Sequence, residues 1–238
     1  MARQQNIFVT GKLSNMIFYT FNGKPCVRMM PDKVRQTEAT RKSASLFGKA
    51  ASMTSAIRKE LRPVYADLPQ TSVMQRLNAA MVKYLGSKGA LAAGFVQQLE
   101  YLALFDFNKD HPLSSRLKVY PEVLFDNKGK MKLSFANRSR KEMITMPSAA
   151  GFIQIQLAGI AFTPDKPIEY KSWKYESGIV PVIDPQDDLS LPFTNRKGQM
   201  IIIGASIRYF KSRDQNTMIT QLNWMPSGIV SAVWTGKG

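Results

Sequence analysis

The sequence holds one cysteine and one histidine in 238 residues, which excludes a disulfide framework within the chain and any metal site built from several His or Cys ligands. Acidic residues are also scarce, 17 against 33 Lys plus Arg, for a formal net charge of +16. Long apolar runs are missing. The start, from Met1 to Asn6, leads only to Ile7-Phe8-Val9 before Thr10 and Gly11, so no export signal is read there. The most apolar stretch, 90–105, is interrupted by Gln97, Gln98 and Glu100, whereas a spanning helix needs roughly 20 predominantly apolar residues. The expectation is a chain with no membrane span, cytoplasmic by default, with incorporation into a larger particle left open.

Recognised catalytic signatures are lacking as well. Gly86, Gly89 and Gly94 have no strand before them and no Gly-Lys-Ser/Thr after them, so they fit neither a Walker loop nor a dinucleotide fingerprint and read as helix punctuation. His111 has no acid–base partner identifiable nearby, and Ser114 and Ser115 have no nucleophile context. Asp184, Asp187 and Asp188 could hold a hard cation, but the Gly and terminal Glu of a calcium loop are absent, and a turn is the reading adopted. Trp173, Trp224 and Trp234 fall on predicted strands, where packing explains them. No catalytic residue, metal ligand or cofactor is assigned and the chain is read as non-enzymatic. An enzyme acting on an acidic substrate is a third reading, because a site assembled from distant carboxylates leaves no local motif.

What is present is a globular composition, 44% hydrophobic and 21% charged, suited to one or two domains. Residues 11–28 alternate around Asn22-Gly23, a tight-turn dipeptide. Met16, Phe18 and Thr20 point one way and Ile17, Tyr19 and Phe21 the other, so both faces carry bulk and the hairpin is expected to pack against something. A helix is predicted over 37–61 from Leu46, Ala50, Met53, Ile57 and Leu61, with Phe47 widening the stripe, and is stopped by Pro63. A second is predicted over 71–85 from Val73, Leu77, Ala80, Met81 and Tyr84, and a third over 90–106. After 108–112 the period changes to two-residue alternation, read as a domain boundary. A hairpin around 126–129 and further strands near 153–157, 168–175, 179–183, 200–210, 218–224 and 229–234 suggest a β-sandwich.

The charge is uneven: residues 1–62 carry a net +9, residues 63–120 +2 and residues 121–238 +5. Arg35, Lys42 and Lys49 follow at seven-residue intervals along one border of the first helix's apolar stripe, and could meet phosphates. Arg58 and Arg62 lie on the stripe's other side, so the basic positions surround it without forming one dense row. That pattern favours a solvated helix whose long side chains flank the stripe.

Gly11-Lys12-Leu13-Ser14-Asn15, Phe18-Tyr19, Asn22-Gly23-Lys24, Val27-Arg28, Pro31, Thr37-Glu38, Leu46-Phe47-Gly48 and the segment Leu77-Asn78-Ala79-Ala80-Met81 resemble an uncharacterised bacterial protein family, a domain of unknown function. Its chains begin with a Gly-Lys-x-Gly-Asn hairpin, run into a basic helix and finish in a β-rich domain. Ser14 stands where the family pattern has Gly. The resemblance implies the same layout here and, since its motif residues are turn and packing types, assigns no site.

The combined expectation is an α+β chain: an amino-terminal β-hairpin with about three helices (1–110, basic), then an antiparallel β-sandwich (113–238). Its expected role is structural, assembling with itself or a protein partner through the hairpin or a sheet edge, with Phe18, Tyr19 and Phe21 as candidate contacts. The alternative is sequence-independent nucleic-acid binding by the basic segment, through Arg35, Lys42 and Lys49.

Overall fold

The structure is a computed structural model that describes residues 2–5, 8–30, 36–66, 68, 70–86, 102–103, 105–135, 138–194, 198–219 and 225–235. The chain forms two compact units, 1–43 and 44–238.

The first unit holds an antiparallel meander of β1 (Ala2–Gln5), β2 (Phe8–Leu13), β3 (Met16–Phe21) and β4 (Lys24–Met29), in that spatial order. The anticipated hairpin is β3–β4. Its turn residues Asn22 and Gly23 sit at φ +49° and +75°, the left-handed pair that matches the twist of two strands. Extending it by β1 and the start of β2 was not foreseen.

Ser14, at the β2–β3 turn, also lies in the left-handed region at φ +51°, where a side chain costs about 1–2 kcal/mol. A glycine there would relieve that strain, against about 0.5–1 kcal/mol of lost chain entropy. Ser14→Gly is therefore expected to stabilise the meander modestly, by about 0.5 kcal/mol, seen as slower amide exchange across β2 and β3.

α1 spans Glu38–Leu61. The Thr37 hydroxyl accepts the Thr40 backbone N–H (3.2 Å), Glu38 occupies the first turn and Arg58 and Lys59 the last, as the helix dipole favours. α2 spans Gln70–Gly86. Ala50, Met53, Ile57 and Leu61 of α1 and Val73, Leu77, Met81 and Tyr84 of α2 are buried, at the spacings the sequence shows. Phe47 departs from expectation: it is 57% exposed and lies outside the stripe. The third predicted helix lies mostly outside the described residues, apart from the helical Leu102 and Ala103.

A sheet of β7 (Phe152–Thr163), β8 (Lys166–Glu176), β11 (Gln199–Phe210) and β12 (Ser227–Thr235) runs β12-β11-β7-β8, with short β9 (Val180–Pro181) also pairing β7. A smaller sheet joins β5 (Glu122–Phe125), β6 (Lys130–Ser134) and β10 (Leu189–Thr194) in the order β10-β6-β5. All pairings between strands are antiparallel, and the fold class is α+β. β7 and β11 are apolar on both faces. Ala158, Ile160, Phe162, Met200 and Ile202 share a core with α1 and α2, while Ile153, Ile155, Leu157, Ile201, Ile203 and Ile207 share another with Met131, Leu133, Leu191 and Phe193 of the smaller sheet.

The division thus differs from the expected one at 108–112. A central sheet with two apolar faces needs cover on both, and α1 and α2 cover one of them, so the helices belong to the same folded unit as the strands. The 105–112 segment lies along β12: Ile229 N–H donates to Phe105 O (2.8 Å) and Phe107 N–H to Ser227 O (2.9 Å). Arg76 of α2 fixes it, donating to Asp106 O (2.7 Å) and Phe107 O. No helix among the described residues is long and apolar enough to cross a membrane.

Candidate interaction surface of the amino-terminal sheet

Strand register sorts the meander's side chains into two unlike faces. β3 pairs Met16 with Met29, Phe18 with Val27 and Thr20 with Pro25, and on its other side Met16 with Leu13. Directly paired residues project to the same side, so Leu13, Met16, Phe18, Val27 and Met29 form one uncharged apolar face. The intervening pairs put Lys12, Ile17 and Arg28 in one row, Tyr19 beside Cys26 and Phe21 beside Lys24. This second face is aromatic and cationic, and the Arg28 guanidinium carbon lies 5.8 Å from the Tyr19 ring centre.

No residue from Val9 to Met30 is buried, and the apolar face leaves Leu13 54%, Val27 56% and Met29 68% exposed. A small sheet without an apolar partner layer is marginal in water.

The edges are poorer docking sites than the faces. β1 is four residues long. On β4, the two-residue turn makes Phe21/Lys24 a hydrogen-bonded pair, and alternate pairs follow; the Met30 N–H to Asn15 O bond keeps that phase. The backbone nitrogens of Pro25, Val27 and Met29 therefore point outward, and Pro25 has no N–H to offer.

Phe18, Tyr19 and Phe21 are thus brought together on one strand, but Phe18 lies on the apolar face and Tyr19 and Phe21 on the cationic one. Lys42 and Lys49, two of the three expected phosphate contacts, each have a carboxylate partner at the surface. Lys42 pairs with Glu38 and Lys49 with Asp165, each at 2.8 Å. Arg35 lies outside the described residues. The cations of the second face, Lys12, Lys24 and Arg28, are exposed, and the first acidic residue in the sequence is Asp32. Alternation flagged this strand; the row from Lys12 through Ile17 to Arg28 needed the register of three strands.

The other chemistry-bearing residues resolve into structural roles. The Asn108 side chain accepts the His111 backbone N–H (3.1 Å), and Asp106 accepts the Ser114 hydroxyl (2.9 Å). Asp188 accepts from Lys132 (2.8 Å) and from the Phe135 N–H (2.9 Å), and the lysine hydrogen bond, then the backbone one, hold its carboxyl below the usual range. Asp184 uses its backbone carbonyl, accepting from Arg140. No group of three metal-ligating side chains occurs among the described residues. Trp173 and Trp234 pack partly buried against the two cores; Trp224 lies outside the described residues.

An apolar cavity of about 30 Å³ opens between the central sheet and the segments around 113–121 and 135–144, lined by residues including Leu113, Phe135, Ile155 and Arg140. Arg140 is buried, and among the described residues no carboxylate pairs with it. Its Nε donates to Gln186 Oε1 (3.0 Å) and its Nη1 to Pro181 O (3.3 Å) and Asp184 O (3.2 Å). Burial pulls its pKa below the ordinary arginine value, and Asp184 and Asp187 partly offset that. Its Nε and Nη1 hold the 181–186 loop, which makes it a strut of the fold.

Compared with known protein families, curated proteins and solved structures, the chain matches none.

Proposed function

We propose that this chain is a non-catalytic assembly protein that associates with a second copy of itself through the apolar face of the amino-terminal sheet. The observation that carries the reading is the uncharged cluster of Leu13, Met16, Val27 and Met29, all exposed, with half-buried Phe18 among them, in a stretch from Val9 to Met30 that holds no buried residue. Two such faces packed against each other make a two-layer sandwich about 10 Å thick, with a core that neither sheet has alone. The pairing is also consistent with the charge. With Lys12, Lys24 and Arg28 on the opposite face, a face-to-face dimer keeps the cations of both copies in water, where screening limits their repulsion.

Light scattering and sedimentation on the full chain test it. The wild type is expected to be dimeric at micromolar concentration, and Phe18→Ser with Val27→Ser to be monomeric with unchanged helix content. A wild type that stays monomeric at high concentration overturns self-assembly, as does a double variant that dimerises like wild type.

A further inference from the structure

We infer that the sheet's second face binds single-stranded nucleic acid without sequence preference. The inference goes beyond self-assembly and uses the opposite side of the same sheet. Single-stranded binders combine cations that track the phosphate backbone with rings on which bases stack, and an open face of a four-stranded sheet is one way to present both. Here the rings are Tyr19 and Phe21, two residues apart on β3 and so about 7 Å apart along the strand. Phe21 is 63% exposed. The cations are Lys12 and Arg28 at one end of the face and Lys24 at the other, beside Phe21.

Charge complementarity selects this occupant. No acidic residue lies on the sheet, so the face offers a polyanion three positive groups and no repulsion. Of the two functional groups, the rings distinguish nucleic acid from other polyanions: a base has a π-face to stack, whereas an anionic lipid headgroup or an acidic peptide uses only the charges. α1, where the sequence places its basic row, offers less net positive charge because a carboxylate, Glu38 or Asp165, lies 2.8 Å from Lys42 and from Lys49.

Fluorescence anisotropy of a labelled oligo(dT) of roughly 20 nucleotides with the full chain tests the inference. Binding is expected at low salt and falls with a slope of about −2 in log K against log salt, the value for three cations on a single strand. Lys12→Gln, Lys24→Gln and Arg28→Gln together are expected to abolish most of that slope. Tyr19→Ala and Phe21→Ala each weaken binding on the order of ten-fold, and Tyr19→Phe restores it, which separates stacking from simple loss of structure. Val27→Ser, on the other face, leaves binding unchanged while lowering the oligomeric state, so failure of either reading is seen separately. No binding at low salt overturns the inference. So do a triple variant with the wild-type slope, ring variants that bind like wild type, and a preference for phosphatidylserine vesicles over the oligonucleotide.

Discussion

Phe193→Ala is expected to destabilise the larger unit by about 3–5 kcal/mol, the range for removing a buried phenylalanine. Phe193 reaches from β10 to the central sheet and is 2% exposed. Its seat is Gly159 of β7, where an added Cβ would lie 2.7 Å from the ring's Cε2 atom. The glycine is thus the floor on which the two sheets meet, and Gly159→Ala alone is expected to cost about 1–3 kcal/mol by overpacking. Because the same contact is spoiled in both variants, the pair is non-additive: with the ring gone, the extra methyl enters the vacated space and recovers part of the loss. Urea unfolding of the four proteins measures this, with the effect appearing in the midpoint at constant slope. Strictly additive losses would show that the ring and the glycine do not touch.

Arg140→Met is expected to cost about 2–4 kcal/mol although methionine keeps much of the volume. Replacing a buried charge by an apolar side chain can be neutral when its partners leave with it. Here they stay: the Pro181 carbonyl and the Gln186 side-chain oxygen would each lose the guanidinium as a donor, and the Asp184 carbonyl would keep only the backbone N–H of residue 140, and buried acceptors left unmade are what make such changes expensive. The guanidinium stays charged at any pH at which the protein can be studied, so the loss is expected to be the same at pH 5 and pH 9. Arg140→Lys, with a single nitrogen at the tip, retains only part of the set and falls between. A methionine variant as stable as wild type would remove the strut role.

Much of this architecture is legible in the residues. The α1 and α2 stripes, the Asn22-Gly23 turn, the alternation of β6 and the apolar run Ile201-Ile202-Ile203 of β11 follow from local periodicity, which reports how a segment meets its immediate environment. What periodicity does not report is which segments share an environment. An apolar run signals a strand buried on both faces, yet nothing in it says that α1 and α2 are what lie on one of them. The change of period at 108–112 is real as a change of element, and the core runs through it all the same. β10 is obscured by Pro192, tolerated at the edge of the smaller sheet. At the candidate surface the rings were visible as types, and their assignment to opposite faces follows from alternation alone. The row joining Lys12, Ile17 and Arg28 comes from pairing across three strands. The partner of Lys42, Glu38, lies one helical turn before it, whereas that of Lys49, Asp165, is distant in sequence and is brought near only by the fold.

The proline on β4 has a consequence for how far assembly proceeds. A sheet that recruits neighbours through its edges has no natural stopping point, since each added strand exposes a new edge, and the product is a ribbon of indefinite length. With Pro25 in the outward row of β4 and only four residues in β1, both ends of the meander are blunted. Pairing through a face, by contrast, is two-fold symmetric and consumes the surface that makes it, so it closes. The proposed face-to-face association would therefore give finite particles: it would saturate at two copies, and raising the concentration would fill dimers without lengthening fibres.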